Sequence, residues 1–322
     1  MIANSGEYRK KNGQRGCVMM NNFIFENKAK VYFGKGGVKE YLGGLLANFG
    51  ETVMLAYGGG SIKRNGVYDE IMGILNAQGK CVVEFSGIMS NPTYAKVQEG
   101  AKLARENHVD LILAVGGGSV SDCCKVISGA FDTLSHAMET YFGKPDENNL
   151  SDDINEAVMR SVIRNIRILL TDPENYDARS ELAQAPAMAE NGVLKIGKVT
   201  DFQAHQIEHQ LGAYTNCNHG AGLAVIHPVL YRHIYKSGAA RFARFAQNVW
   251  GIAPKGSNGE TAAGIDAPAA FIKEIGLPTS FAELGIPADT DFRAIADSTN
   301  VTAGCCKKLT RDEICEILQE CL

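Results

Sequence analysis

"TVMLAYGGGSIK" (Thr52–Lys63) and "LILAVGGGSVSD" (Leu111–Asp122) decide the fold of this chain. Each is a short, apolar, β-rich run that ends in three glycines and a serine. Continuous apolar runs of this length suit strands of a parallel sheet covered on both faces. A third run, "CVVEF" (Cys81–Phe85), lies between them. After the first strand, Tyr68, Ile71 and Leu75 recur at helical spacing, and Gly79 is placed to end that helix. Tyr94, Val97, Ala101 and Ala104 mark the next helix, opened just after Pro92. Strand–helix–strand–helix–strand is the grammar of an open nucleotide-type sheet. Upstream, "AKVYFGKGG" (Ala29–Gly37) is a candidate edge strand leading into a glycine turn.

From about Phe131 the strand signals fade. "SDDINEAVMRSVIRNIRILL" places an N-cap at Ser151 and acidic residues in the first turn, followed by Ile154, Val158, Val162, Ile166 and Leu170 at every fourth position. The remainder reads as further helices joined by Pro/Gly turns, with "GIAPKGSNGETAAG" (Gly251–Gly264) as a surface loop. The expected fold is an α/β N-terminal domain with a Rossmann-like, truncated parallel sheet, followed by an all-α C-terminal metal-binding domain. The boundaries expected are 1–19 for a disordered extension, 20–130 for an incomplete dinucleotide-binding domain and 131–322 for the helical domain.

Composition excludes several classes. The chain has 322 residues, of which 45% are hydrophobic, enough for two cores. Net charge is −4 with dispersed basic residues, so no nucleic-acid footprint is present. No apolar run reaches the ~18 residues of a membrane span, and the polar N-terminus lacks a signal core. Nine cysteines, an odd number with no CxxC, fit a secreted disulfide framework poorly and point to reduced thiols in a cytoplasm.

Glycines at the carboxyl end of a strand let backbone N–H groups approach an anion, and the following helix N-terminus adds its positive end. Two such turns in one sheet sit where open α/β sheets bind ligands, so a dinucleotide is expected at Gly58, Gly59, Gly60, Ser61, Gly116, Gly117, Gly118 and Ser119. Neither turn matches GxGxxG or the P-loop. An NAD site commonly carries an acidic residue near the end of the second strand. The first turn shows no carboxylate but has Lys63 and Arg64 just beyond it, which favours NADP(H) over NAD(H).

"HQIEHQLGAYTNCNH" (His205–His219) holds three of the seven histidines, with His205 and His209 on one helical face and "TNCN" as a turn. In "FDTLSHAMETYF" (Phe131–Phe142), Asp132 and His136 also stand four apart. One Asp with several His is a donor set suited to Fe2+ or Zn2+.

Together with "VYFGKG", "YGGGSIKRNGVYDEI", "LAVGGGSVSDCCKVI" and "DFQAHQIEHQLGAYTNCNHGAGLAVIHP", these stretches resemble the iron-containing (group III) alcohol dehydrogenases, in particular their NADPH-linked butanol dehydrogenase/aldehyde reductase branch. The resemblance runs from Met20 to Leu322. It implies Asp132, His136, His205 and His219 as metal ligands and His209 as the non-ligand histidine that relays a proton. It also implies Gly58–Ser61 at the adenosine end of the cofactor, and Gly116–Ser119 at its pyrophosphate with Asp122 close by. The activity implied is hydride transfer between a nicotinamide and a small alcohol or aldehyde, by a self-associating enzyme with neither nucleic-acid nor membrane partners.

The chain departs from that pattern in one place. Asp122 and Asp132 are ten residues apart, whereas a further βαβ unit alone takes roughly 30 residues. A segment on the order of 80 residues is expected to be absent, which leaves an apolar sheet edge beyond Leu111–Val115 exposed. Two other readings stay open: a non-catalytic remnant that retains metal binding, and a polyol dehydrogenase or dehydroquinate synthase-like metal enzyme on the same scaffold.

Overall fold

The computed structural model describes residues 30, 32, 34–88, 94–116, 123–144, 147–253, 257–301 and 306–322. The disordered extension expected at 1–19 lies outside them, and the candidate edge strand at 29–37 falls partly outside them. The chain divides into two compact units, and Lys28–Ser128 form the α/β unit.

In the α/β unit, helix α1 (Gly37–Leu46) leads to strand β1 (Thr52–Tyr57), a short helix α2 (Ser61–Arg64) and helix α3 (Val67–Ala77). Strand β2 (Cys81–Phe85), helix α4 (Tyr94–Glu106) and strand β3 (Leu111–Val115) follow. The sheet order is β2-β1-β3, with both pairings parallel. The three strands therefore take the bounds that their apolar runs predict. β1 is central because both its faces are apolar. Val53, Leu55 and Tyr57 pack with Leu46 of α1 and with Ile71 and Leu75 of α3, whereas Met54 and Ala56 pack with Phe85 and, behind it, Leu103 of α4. A Cβ on Gly100 would stand 2.8 Å from the Phe85 ring, so glycine is what lets α4 lie this close to the sheet. Gly79, at φ +66°, ends α3 as expected, and Lys80 N–H donates back to the Leu75 carbonyl. Among the described residues no strand pairs with the outer side of β3, where Ile112 is 60% exposed.

Helix α5 (Cys123–Tyr141) is the next described element, and from Gly129 onward the chain forms the helical unit. Its further helices are α6 (Leu150–Thr171), α7 (Tyr176–Glu190), α8 (Gln203–Thr215), α9 (His219–Ile234), α10 (Ala239–Asn248), α11 (Ser257–Glu274), α12 (Phe292–Ser298) and α13 (Arg311–Glu320). The only β-type pairing described here is an isolated antiparallel bridge between Lys144 and Val199. No described helix is long and apolar enough to cross a membrane.

Three local expectations are corrected. Asn149, not Ser151, caps α6, through a reciprocal capping box with Asp152, and Ser151 Oγ instead donates to the Val193 and Ile196 carbonyls. The buried stripe of α6 runs through Asn155, Met159, Val162, Ile163, Ile166 and Leu169, while Leu170 is exposed. A strict every-fourth pattern drifts around a helix of 3.6 residues per turn, so the predicted row turns out of the core at Leu170. The predicted loop at 251–264 is helical from Ser257. Gly264 explains the composition: a Cβ there would stand 2.5 Å from the Phe242 carbonyl oxygen, so a side chain would force α11 away from α10.

A buried ionic knot fixes the end of α5. Lys198 donates to the Tyr141 carbonyl at 3.2 Å, one of the C-terminal carbonyls left without a helical partner. Lys198 also pairs with Asp152, whose other oxygen meets Arg241 at 2.9 Å. All three side chains are buried, so each charge depends on the others for compensation.

Candidate active site

The site lies within the helical unit and is built from α5, α7, α8 and the start of α9. On α5, Asp132, His136 and Glu139 follow at helical spacing and share one face. The opposite face, with Phe131, Leu134 and Met138, is fully buried and anchors the helix. Helix α8 carries His205, Glu208 and His209. Its N-cap, Phe202, adopts φ +54° and offers no side-chain oxygen. Glu139 takes over that role by accepting from Ala204 N–H and His205 N–H. At the other end, Asn216 turns the chain through φ +56°, and Asn218 caps α9 by accepting from Ala221 N–H at 3.0 Å. His219 is thereby delivered as the first residue of α9. The "TNCN" turn is present as predicted.

The four residues expected as ligands come together. Nε2 of His205, His219 and His136 stand 3.4, 3.5 and 3.6 Å from a single atom, Asp132 Oδ1. That oxygen is buried and accepts no hydrogen bond in this arrangement. Two donors held at about 2.1 Å by one tetrahedral ion stand about 3.4 Å apart, so the separations and the N/O donor set both fit a divalent cation. His209 stacks against His219 at a ring separation of 5.4 Å and stays exposed, beside the cluster rather than in it.

Sequence reasoning missed the carboxylates behind the histidines. Glu139 contacts Nδ1 of His205, Glu208 contacts Nδ1 of His219, and Glu190 of α7 stands 2.7 Å from Nδ1 of His136. Glu139 and Glu208 are 1% and 2% exposed, and Gly222 leaves room for Glu208, since a Cβ there would stand 2.9 Å from its Oε1. A carboxylate on Nδ1 fixes the proton there and turns the Nε2 lone pair inward, the usual support of a metal-binding imidazole. Glu139 was within reach of the pattern reading, being seven residues from Asp132 on the same face.

Charge tells the same story. Burial alone would raise the Asp132 carboxyl, yet its contacts with His205 and His219 hold it well below the usual carboxylate range. Burial would lower His205 and His219, but the carboxylates on either side push them up to about 9 and about 10. The cluster therefore attracts positive charge strongly, which protons or a divalent ion can supply. His209 moves the other way, lowered by burial and by the charges of His219 and His205.

In the α/β unit, Gly58, Gly59 and Gly60 form the turn after β1, and Gly60, at φ +80°, precedes Ser61. Gly116 follows β3, whereas Gly117, Gly118, Ser119 and Asp122 lie outside the described residues. One expectation needs correction here. A carboxylate does stand by the first turn, because Glu84 of β2 reaches Lys63 Nζ at 3.4 Å. It comes from the neighbouring strand, where a reading of the turn alone does not look.

An α/β unit bearing a glycine turn, followed by a helical unit bearing an Asp/His cluster, defines a class of metal-linked oxidoreductase. Residues 28–157 match the model described as iron-containing alcohol dehydrogenase, and residues 126–322 match that described as the Fe-containing alcohol dehydrogenase family, C-terminal. The chain belongs to the iron-containing alcohol dehydrogenase family. It is 30% identical to a protein named probable NADH-dependent butanol dehydrogenase 2 from Bacillus subtilis, over 94% of this chain and 100% of that protein. It is 26% identical to the NADPH-dependent aldehyde reductase YqhD of Escherichia coli, over 83% of this chain and 90% of that one. The crystal structure of NADH-dependent butanol dehydrogenase A from Thermotoga maritima superposes with a TM-score of 0.87 at 27% identity, covering 94% of this chain and 99% of that chain. The alignment with the Bacillus protein spans 392 positions against 322 residues here, so at least 70 positions of that relative have no counterpart in this chain.

Proposed function

We propose that this chain is a metal-dependent, NADP(H)-linked alcohol dehydrogenase/aldehyde reductase that acts on small primary alcohols and aldehydes by hydride transfer. One observation carries the reading: three imidazole Nε2 atoms converge within 3.6 Å of a buried carboxylate oxygen that has no hydrogen-bond donor. Asp132, His136, His205 and His219 would hold Fe2+ or Zn2+, which when bound supplies Lewis acidity toward the oxygen of an alcohol or carbonyl group.

The rest is done by the chain's own residues. Glu139 and Glu208 orient His205 and His219 and keep their Nδ1 positions protonated, and Glu190 places a negative charge beside His136. His209, exposed beside the cluster and held toward its neutral form, accepts the proton an alcohol loses and returns it in the reverse direction. The reaction balances as alcohol plus NADP+ giving aldehyde, NADPH and a proton. For the cofactor we assign Gly58, Gly59, Gly60 and Ser61 to its adenosine end and Gly116, Gly117, Gly118, Ser119 and Asp122 to its pyrophosphate. Lys63 draws a 2′-phosphate, and the relatives' names include both nicotinamide cofactors. The free thiols of Cys81, Cys315 and Cys321, among the described residues, support placement in a cytoplasm. Self-association is carried over from the family resemblance.

The test is elemental analysis of the purified chain together with NADPH oxidation against butyraldehyde in the same sample. One metal per chain with turnover supports the assignment. Metal without turnover supports a second reading, a non-catalytic metal-binding protein, which the absence of at least 70 positions and a sheet of three strands among the described residues favour. Neither metal nor turnover removes both.

A further inference from the structure

The carboxyl ends of β1 and β2 carry a side-chain cluster of which the reading above uses only Lys63. Glu84, the penultimate residue of β2, pairs in register with Leu55 of β1, so its side chain lies near Tyr57 at the end of β1. Tyr57 Oη donates to Glu84 Oε2 at 2.5 Å, and Tyr68 Oη of α3 donates to Oε1 at 2.6 Å. Lys63 Nζ reaches Oε2 at 3.4 Å and lies over the Tyr68 and Tyr57 rings at 4.3 and 5.3 Å. The two phenols fix the carboxylate, and the carboxylate fixes the ammonium. This is more machinery than an adventitious surface ion pair has. The pair nevertheless remains open to solvent, with the Lys63 and Glu84 side chains 48% and 42% exposed.

Open parallel sheets bind ligands at the carboxyl ends of their strands, and an acidic residue at the end of the second strand meets the ribose hydroxyls. An arginine or lysine nearby accommodates a 2′-phosphate instead. Here both groups are present and bonded to each other. We propose that Glu84 sets the cofactor selectivity of this chain, restraining and partly neutralising Lys63 so that a ribose with a free 2′-hydroxyl competes with a 2′-phosphorylated one. The proposal rests on the dinucleotide reading of the Gly58–Ser61 turn. The phenol hydroxyls, followed by Lys63, hold the Glu84 carboxyl below its ordinary range, so it is ionised at neutral pH. A phosphate approaching Lys63 therefore meets a negative charge at the same place. Without Glu84, Lys63 would favour the phosphate unopposed.

The experiment uses the full chain with two adenine-end probes, adenosine 2′,5′-bisphosphate and AMP, titrated calorimetrically at one fixed salt concentration. The readout is the ratio of the two affinities. Glu84→Gln, which keeps the shape and removes the charge, is expected to raise the preference for the bisphosphate about fivefold to tenfold. Glu84→Asp, which keeps the charge, is expected to stay within about twofold of the original ratio. Lys63→Met is expected to lower the ratio and to make Glu84→Gln ineffective when the two are combined. A purely structural role for Glu84 would weaken both probes alike, so an unchanged ratio in Glu84→Gln overturns the proposal. If the unaltered chain binds neither probe, the dinucleotide reading itself fails, and this inference fails with it.

Discussion

His205 Nε2 and His136 Nε2 face each other at 3.1 Å. His205 Nδ1 is hydrogen-bonded to Glu139, and His136 Nδ1 stands 2.7 Å from Glu190 Oε1, so each ring has a carboxylate on the side away from the other. This contact joins α5 and α8 beside Asp132, at the point where the proposed metal ligands converge.

Removing a ligand tests the cation directly. Asp132→Asn or His205→Ala is expected to lose bound metal beyond the roughly 10–100-fold drop in affinity typical of an outer partner. Elemental analysis after dialysis against a chelator measures this, and retention of one metal per chain would count against the assignment.

The outer carboxylates should act through their imidazoles. Glu208→Gln keeps the shape and a hydrogen-bonding oxygen but removes the charge behind His219. Metal affinity is expected to fall about 10–100-fold while the far-UV circular dichroism stays unchanged. A competitive chelator titration reads the affinity without reference to turnover.

His209 separates proton transfer from metal binding. His209→Gln is expected to leave one metal per chain and to slow butyraldehyde reduction by about 10²–10⁴-fold. Loss of metal in this variant would instead place His209 among the ligands.

Acid stability should depend on His227. It is buried on α9, with Nε2 on Ser135 Oγ, and burial pushes it down to about 4. Below its ordinary value of 6.5 the unfolded chain takes up a proton that the folded chain refuses. Stability is therefore intact above about pH 6.5 and declines as the pH falls toward 4, by on the order of 3 kcal/mol. Urea midpoints at several pH values should show a shallower decline for His227→Gln than for the unaltered chain.

The α10–α11 contact offers a packing test. Gly264→Ala puts a Cβ 2.5 Å from a backbone oxygen, which cannot swing aside as a side chain can. A loss of about 1–3 kcal/mol is expected, visible as a lowered melting temperature.

Much of this protein is legible in its sequence, because strands, helices and turns follow from short-range patterns. Continuous apolar runs suffice to place Thr52–Tyr57, Cys81–Phe85 and Leu111–Val115 as strands of a parallel sheet. The four-residue spacings of Asp132 to His136 and of His205 to His209 are enough to set each pair on one helical face. The family resemblance then brings Asp132, His136, His205 and His219 to one point. Tertiary structure alone decided what lies behind them. Glu139 meets His205 across 66 residues, and Glu84 meets Lys63 from the neighbouring strand. No local periodicity encodes such pairs, because they depend on how helices cross and how strands register once apolar faces are buried. Those carboxylates reach His205 and Lys63 from parts of the chain that no short-range pattern connects to them.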